Sequence, residues 1–566
     1  MYFNDEKALI IQEDGCVQLE VNHPDYEQMR KELICFADLM KTPEQFHTFH
    51  ITNTSLWNAA AMGKKAEEIK QFLTTHCKMK VPLSVIQQVQ KMMHRYGTLQ
   101  INKENESLYI NADTSLEQDW VQDKEIRSLL EEEIKEGKWK LKKQNRGILK
   151  KVMTSKGYPV IDKAGYDDSE QLPISLRDVT NSGEMFHIRD YQKEAVEAFL
   201  NSKNIFSGSG VVHLPCGAGK TMVGIYAMAK LQCEVLILTS NKTSVKQWKR
   251  EIADKCNIST SAIGEYTGDN KQIKPITIST YQLLTYRRDK QHDFKHMKLF
   301  SSRKWGLIIY DEVHLLPAPV FRATADLQAT RRLGLTATLI REDGRETDVF
   351  SLVGHKCYEL HWKELEAKGW IAKVQCHEVR IDLSEADQKL YWESAAKYKH
   401  RIAGENSNKL QYIQRILHHH AHQKILIIGQ YITQLEHIAD VLKAPVIHGK
   451  SNNETREAYY NAFKQGKLNI LIVSKVANFA VDLPNATVAI QVSGSFGSRQ
   501  EEAQRLGRVL RPKKGDNEAH FYSLVSKDTV EQENSMHRQL FLVEQGYTYD
   551  IKEVSGDEKD GMYLVQ

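Results

Sequence analysis

The sequence predicts an α/β protein in which two parallel-sheet domains follow one another behind small α+β N-terminal domains. Three observations carry this reading. Between about residues 186 and 370 the apolar runs VVHL, EVLILT, ITIST, LIIYDE and RLGLTAT alternate with helical stretches. Such alternation marks βαβ units, whose strands are covered on both faces. A second alternating set, KILIIG, LNILIVS, TVAIQV and AHFYSLV, continues to about residue 530. Finally, 566 residues are too many for one hydrophobic core, and about three or four folding units are expected.

Taken in order, residues 1–115 open with strand patterns, ALIIQ and CVQLEV, around the turn EDG. Helical stretches follow near Pro24–Met40, Thr54–Met62 and Lys64–His76, and Pro82 starts another helix that ends at Gly97. LQINKENESLYI then reads as a hairpin, so the unit is expected to be winged-helix-like or a small α+β domain. Residues 116–185 hold a charged helix, Asp123–Glu136, a basic stretch and the apolar YPVI. The first α/β domain spans 186–370, a connector 371–425, the second α/β domain 426–535, and a C-terminal helix with a polar tail 536–566.

The composition, 41% apolar and 27% charged, is that of a soluble globular protein. No run of 18 apolar residues exists and the first thirty residues lack a signal-peptide pattern, so neither a membrane partner nor secretion is expected. The eight cysteines, Cys16, Cys35, Cys77, Cys216, Cys233, Cys256, Cys357 and Cys376, form no C-x-x-C pair. Reduced, scattered thiols are the plain reading. A net charge of +4 says little, but Lys138–Lys151 holds seven basic residues and no acid. Such a run serves either as a phosphate-binding patch or as a solvated helix face.

The chemistry sits in LPCGAGKT, Leu214 to Thr221, and LIIYDEVH, Leu307 to His314. The first is a phosphate-gripping loop: Pro215, Cys216, Gly217, Ala218 and Gly219 form a cradle that opens a helix. Lys220 would reach the β/γ-phosphates and the Thr221 hydroxyl would ligate Mg²⁺. The second is an apolar strand tipped by Asp311, placed for Mg²⁺, and Glu312, placed to orient or deprotonate water. The pair reads as an NTPase. Farther on, in EEAQRLGRVLRPKK, helical spacing places Gln504, Arg508 and Arg511 on one face. Guanidinium groups there suit charge on a transferring γ-phosphate.

GKT, DEVH and QRLGRVLR in this order resemble superfamily 2 helicases and translocases, whose two RecA-like domains bind nucleotide between them. RDYQKEAVEAF, with Arg189 and Gln192, resembles the adenine-reading segment of that superfamily. TSNKTSVKQWKREI, with Gln247 and Trp248, resembles motif Ia; STYQLLT, with Thr280, motif Ib; and Thr336-Ala337-Thr338 motif III. The resemblance implies that these residues bind DNA or couple it to the nucleotide. LGLTATLIRED, SVKQW and VDLPNATVAIQVSGSFGSRQEEAQRLGRVLRPKK narrow the likeness to XPB-type DNA repair helicases. There Arg341-Glu342-Asp343 matches the RED motif implicated in strand separation. LYWESAAKYKHRI lies where the family carries a thumb-like, DNA-contacting insertion, and it interleaves aromatics with bases.

ALIIQEDGCVQLEV and YGTLQI resemble the family's N-terminal domain, and YPVIDKAGY…LPISLR the end of its damage-recognition domain. Two departures stand out: Leu214 replaces the usual Gly or Ala, and SKVANFAVDLP lacks a glycine before Asp482. The resemblance implies ATP with Mg²⁺ as cofactors, 3′-to-5′ polarity, and single-stranded, forked or damaged duplex DNA as substrate. It also implies a partner nuclease or repair complex and a bacterial-type, nucleoid-associated cytoplasmic protein. A motor that moves on duplex DNA without separating strands is compatible with the same core motifs. HHHAH, His418–His422, ends a helix, where imidazolium groups complement the dipole. His314 is expected to link the ATP site to the second domain.

Overall fold

A computed structural model describes residues 4–42, 45–112, 120–200, 208–215, 217–287, 294–328, 330–337, 346–474, 486–494 and 517–554, with the backbone alone at Arg322, Asn453 and Phe541. Cys216, Thr338, the Arg341–Asp343 triad, Asp482, Gln504, Arg508 and Arg511 lie outside the described residues. The chain divides into two compact units: Met1–Asp38, Thr48–Leu214 and Gly219–Glu359 form one, and Leu39–His47, Pro215–Ala218 and Leu360–Gln566 the other.

At the start, β1 (Leu9–Ile11), β2 (Cys16–Glu20), β3 (Asp38–Lys41) and β4 (Phe46–His50) form a sheet of order β1-β2-β4-β3. Helices Asn53–Ala61, Ala66–His76 and Leu83–Arg95 follow, the first opened by a capping box between Thr52 and Ser55. The hairpin expected to close this unit does not belong to it. Its strands β5 (Leu99–Glu104) and β6 (Ser107–Asn111) join β7 (Leu130–Lys135), β8 (Lys138–Leu141) and β9 (Val160–Asp162) in a sheet of order β7-β8-β6-β5-β9. The expected boundary at 115 therefore cuts through a sheet.

The charged helix expected over Asp123–Glu136 is also corrected. A helix covers only Lys124–Leu129, and LEEEIK is β7, antiparallel to β8. Glu-rich sequence favours a helix locally, but here Lys140 lies 3.7 and 3.5 Å from Glu131 and Glu132 across the ladder, and cross-strand pairing overrides propensity. Six of the seven basic residues of the run, all but Lys142, lie beside acids of the protein itself. Lys138 pairs with Glu104 at 2.6 Å, Lys143 with Glu106 at 3.6 Å and Lys151 with Asp348 at 3.2 Å. Arg146 grips Asp162 with two 2.8 Å bonds while Lys150 reaches Asp162 at 3.3 Å and Gln328 at 2.7 Å. Helix Arg146–Ser155 lies so close to helix Ala318–Asp326 that a Cβ on Gly147 would meet the Ala325 carbonyl at 2.2 Å.

The first parallel sheet comprises β10 (Ser209–His213), β11 (Val235–Thr239), β12 (Ile263–Tyr266), β13 (Ile276–Thr280), β14 (Leu307–Asp311), β15 (Arg331–Thr336) and β16 (Lys356–Glu359), in the order β12-β13-β11-β14-β15-β10-β16. Its central strands are fully buried, Val235–Thr239 and Ile276–Thr280 at every position. The second comprises β17 (Lys373–Ile381), β18 (Ile425–Gly429), β19 (Val446–Ile447), β20 (Ile470–Ser474), β21 (Val488–Gln491), β22 (Glu518–Ser526) and β23 (Tyr549–Val554), in the order β19-β20-β18-β21-β22-β17-β23. Both sheets have one topology, each strand of the second standing where its counterpart seven earlier stands in the first.

Two expectations fail in the second sheet. The connector expected over 371–425 contains β17, which runs beside β22 for nine residues. The C-terminal segment, expected as a helix and a polar tail, does begin within helix Val530–Glu544, but its polar part supplies the edge strand β23, parallel to β17. Between β17 and β18 the chain forms helices Glu385–Glu393, Ala396–Gly404 and Lys409–His419. His420, expected as an imidazolium at a helix end, is buried. Its Nε2 lies 2.8 Å from the Tyr522 hydroxyl, and burial lowers its pKa to about 4, so the ring is neutral. No helix among the described residues is long and apolar enough to cross a membrane.

Candidate active site

In an open parallel sheet, ligands bind beyond the carboxyl ends of the strands. In the first sheet those ends carry the motif residues: β10 leads into the glycine loop, β14 ends on Asp311, and β15 on Thr336. Gly217 (φ 83°) and Gly219 (φ 76°) adopt backbone conformations that disfavour side chains. Gly219 caps helix Lys220–Leu231, and a Cβ there would come within 2.7 Å of Gln192 Nε2. Gln192 is buried, and its Oε1 accepts a 3.1 Å bond from the Arg189 amide. The glutamine is thus packed against the phosphate loop, with Arg189 beside it and donating to the Tyr191 hydroxyl at 3.1 Å.

Lys220 Nζ lies 3.3 Å from Glu312 Oε1. Glu312 sits in the left-handed region (φ 54°, ψ 58°), a conformation unusual for a residue with a side chain and found at functional turns. His314 Nδ1 is 3.7 Å from Glu312 Oε2 and 2.7 Å from the Thr336 hydroxyl. Burial works to raise the Glu312 pKa, but Lys220 and His314 together hold it below the ordinary glutamate value. Asp311 goes the other way: burial, then the adjacent Glu312 charge, raise it to about 6. A carboxylate so disfavoured is suited to a divalent cation. Thr221 opens the same helix as Lys220, and one hydroxyl plus one carboxylate, completed by water and phosphate oxygens, is a donor set that fits Mg²⁺.

Two further residues hold Asp311, and the sequence pattern signals neither contact. Trp248 donates from Nε1 to Asp311 Oδ2 at 2.9 Å, and the Tyr281 hydroxyl donates to the Asp311 carbonyl at 3.0 Å. Trp248 is 1% exposed, so of the two motif Ia positions only its exposed neighbour Gln247 faces solvent. Thr280, also buried, caps the short helix Tyr281–Leu284 by accepting from the Leu283 amide at 3.3 Å. His213, one residue before the loop motif, lies 2.7 Å from Glu359 and 2.8 Å from the Ala337 carbonyl, while the Leu214 amide donates to the Thr336 carbonyl at 3.0 Å. The phosphate loop is thereby stitched to the described part of Thr336-Ala337-Thr338.

In the second unit, helix Glu385–Glu393 is opened by Ser384, which accepts from the Asp387 amide at 3.1 Å, and anchored by Tyr391, whose hydroxyl accepts from the Val530 amide at 2.9 Å. Leu390, Trp392 and Tyr398 stay exposed, the last two at 64% and 53%. Lys399 Nζ lies 5.2 Å from the Trp392 ring centre and Lys397 Nζ 4.7 Å from that of Tyr398. Exposed rings flanked by amines can stack on bases and hold phosphates.

Residues 365–563 match the family described as ERCC3/RAD25/XPB C-terminal helicase, residues 185–341 that described as Type III restriction enzyme, res subunit, and residues 9–135 that described as Helicase conserved C-terminal domain. The chain is 46% identical over 547 residues to a protein of Mycobacterium tuberculosis named DNA 3′-5′ helicase XPB, covering 96% of this chain and 97% of that one. A protein of the same name from Kineococcus radiotolerans is 46% identical over 555 residues, covering 98% and 97%. The General transcription and DNA repair factor IIH helicase/translocase subunit XPB of Enterocytozoon bieneusi is 33% identical, covering 96% of this chain and 92% of its own.

Proposed function

The chain belongs to the XPB family of DNA helicases, and from that premise we propose that it is an ATP-dependent DNA helicase of 3′-to-5′ polarity acting in DNA repair. The observation that carries the reading is the meeting of Lys220, Asp311 and Glu312 at one edge of the first parallel sheet. The polyphosphate of ATP lies over residues 215–219 and the start of helix Lys220–Leu231, with Arg189 and Gln192 reading the base. Lys220 exchanges its carboxylate partner for the β/γ-phosphates. That exchange releases Glu312, kept ionised in the resting site by Lys220 and His314, and losing Lys220 raises its affinity for the proton of the attacking water that it orients. As water bonds to the γ-phosphorus, the bond to the bridging oxygen breaks and ADP leaves.

Mg²⁺, which Thr221 and Asp311 would hold, would supply charge neutralisation for the phosphates. Arg508 and Arg511 supply the cations that meet the γ-phosphate, and Gln504 supplies a neutral hydrogen-bonding amide. His314 and Thr336 pass the state of Glu312 to Ala337 and Thr338, and Arg341, Glu342 and Asp343 act at the point where strands part. Gln247 contacts the DNA backbone, and Trp392 and Tyr398 stack on its bases. Single-stranded, forked or damaged duplex DNA is the substrate, and a nuclease or repair complex on the bacterial nucleoid is the partner. ATP hydrolysis measured with single-stranded, forked and damaged DNA tests this: forked DNA should stimulate it several-fold, and a rate indifferent to every DNA would refute it.

A further inference from the structure

Trp248 is nearly devoid of solvent contact, yet its indole N–H is spent on a charged acceptor, Asp311 Oδ2, at 2.9 Å. The far edge of the same ring rests on the phosphate-loop helix. A Cβ on Gly224 would stand 2.5 Å from the ring's Cη2 atom, so no other residue fits there without displacing the indole. Gly224 is three residues beyond Thr221, on the same side of helix Lys220–Leu231. One rigid ring therefore spans the distance between the helix that carries Thr221 and the strand tip that carries Asp311. Tyr281 fixes the other end of Asp311 through its backbone carbonyl.

We propose that Trp248 is a positioning residue for the cation site: its N–H commits Oδ2 and orients the Asp311 carboxylate, and its ring sets the spacing between Asp311 and Thr221. The chemistry favours this over simple packing. Packing alone makes no demand on the N–H, whereas a buried N–H against a carboxylate is a charge-assisted bond with a defined direction. Because Trp248 belongs to helix Lys242–Lys255, which also carries the exposed Gln247, a shift of this helix on DNA would be felt at Asp311. The inference rests on the assignment of Asp311 and Thr221 as the Mg²⁺ ligands.

The test is direct binding of a fluorescent ADP analogue to the full chain, titrated in Mg²⁺ and in EDTA. The Mg²⁺-dependent gain in affinity is compared for the unaltered protein, Trp248→Phe and Asp311→Asn. In Trp248→Phe this gain should shrink roughly tenfold, the scale of one lost charge-assisted bond, with the affinity in EDTA unchanged. An unaltered Mg²⁺ gain in a Trp248→Phe protein that melts cooperatively would overturn the proposal. If Trp248→Phe does not fold, replacing Trp248 by its benzothiophene analogue, isosteric and without the N–H, decides by the same two results. Asp311→Asn separates the layers: an intact Mg²⁺ gain there sinks the metal assignment itself. Its loss there, beside a normal Trp248→Phe, sinks only the role of Trp248.

Discussion

The two parallel sheets share a strand order and diverge just beyond the ends of equivalent strands. After β10 the first sheet turns through glycines into the helix that carries Lys220 and Thr221. After its counterpart β17 the second turns at Ser384 into a helix that displays Leu390 and Trp392. The first sheet's β14 ends on Asp311, with Glu312 next in the chain; the matching β21 ends on the buried Gln491. One topology thus carries two different edges, one with a glycine loop, a lysine and paired acids, the other with exposed rings and amines. The fold positions the loops, and the loop residues decide the function.

The comparison breaks most visibly at Glu312. Glu312→Gln should cut ATP turnover by about 10²–10⁴-fold while nucleotide still binds, because on the proposed mechanism only the group that orients and deprotonates water is lost; steady-state hydrolysis with nucleotide titration checks both. If the second unit is a partner in the same chemistry, Arg508→Ala or Arg511→Ala should lower turnover by about 10³-fold, again with binding to the first unit retained. Stopped-flow nucleotide binding beside hydrolysis rates separates the two effects. If its equivalent helix instead serves DNA, Trp392→Ala should weaken single-strand affinity by roughly 1–3 kcal/mol without changing DNA-free hydrolysis, as fluorescence anisotropy would show.

One effect, on stability alone, lies away from both edges. Arg146, Lys150 and Arg332 surround one buried acid, Asp162. Burial would raise that acid, but the three cations hold it at about 2, whereas burial and the neighbouring arginines lower Lys150 to about 7. The depressed carboxyl contributes stability at pH values above its unfolded value of about 4, and loses it as pH falls toward 2. Asp162→Asn should therefore cost roughly 2–3 kcal/mol at neutral pH and flatten the acid limb of stability below about pH 4. Denaturant unfolding at several pH values reads this.

Legibility in the sequence follows the range of the interactions. GAGKT and DEVH are readable because the glycine turn and the strand-tip acids are set by a few consecutive residues, and the alternating apolar runs expose both sheets. The hairpin at 99–111 points to the wrong unit because its other ladder partner is β8, about thirty residues on. The strand LEEEIK reads as helix because its cross-strand lysine is visible only once the sheet exists. β23 passes for tail because an edge strand with alternating polar residues carries a weak apolar signal. Within the site, Trp248 stands in a motif whose resemblance implies DNA. Only packing reveals that its N–H is turned inward to Asp311, 63 positions away.

Strand displacement tests most directly whether the Lys220–Glu312 edge drives the parting of strands. With a 3′-tailed forked duplex, ATP and Mg²⁺, the unaltered protein should release the displaced strand, fail on a 5′-tailed duplex, and lose the activity in Glu312→Gln. Displacement by Glu312→Gln at the unaltered rate, or DNA-stimulated hydrolysis with no strand released from either duplex, would contradict this mechanism, and the latter would identify a motor that moves on duplex DNA without opening it.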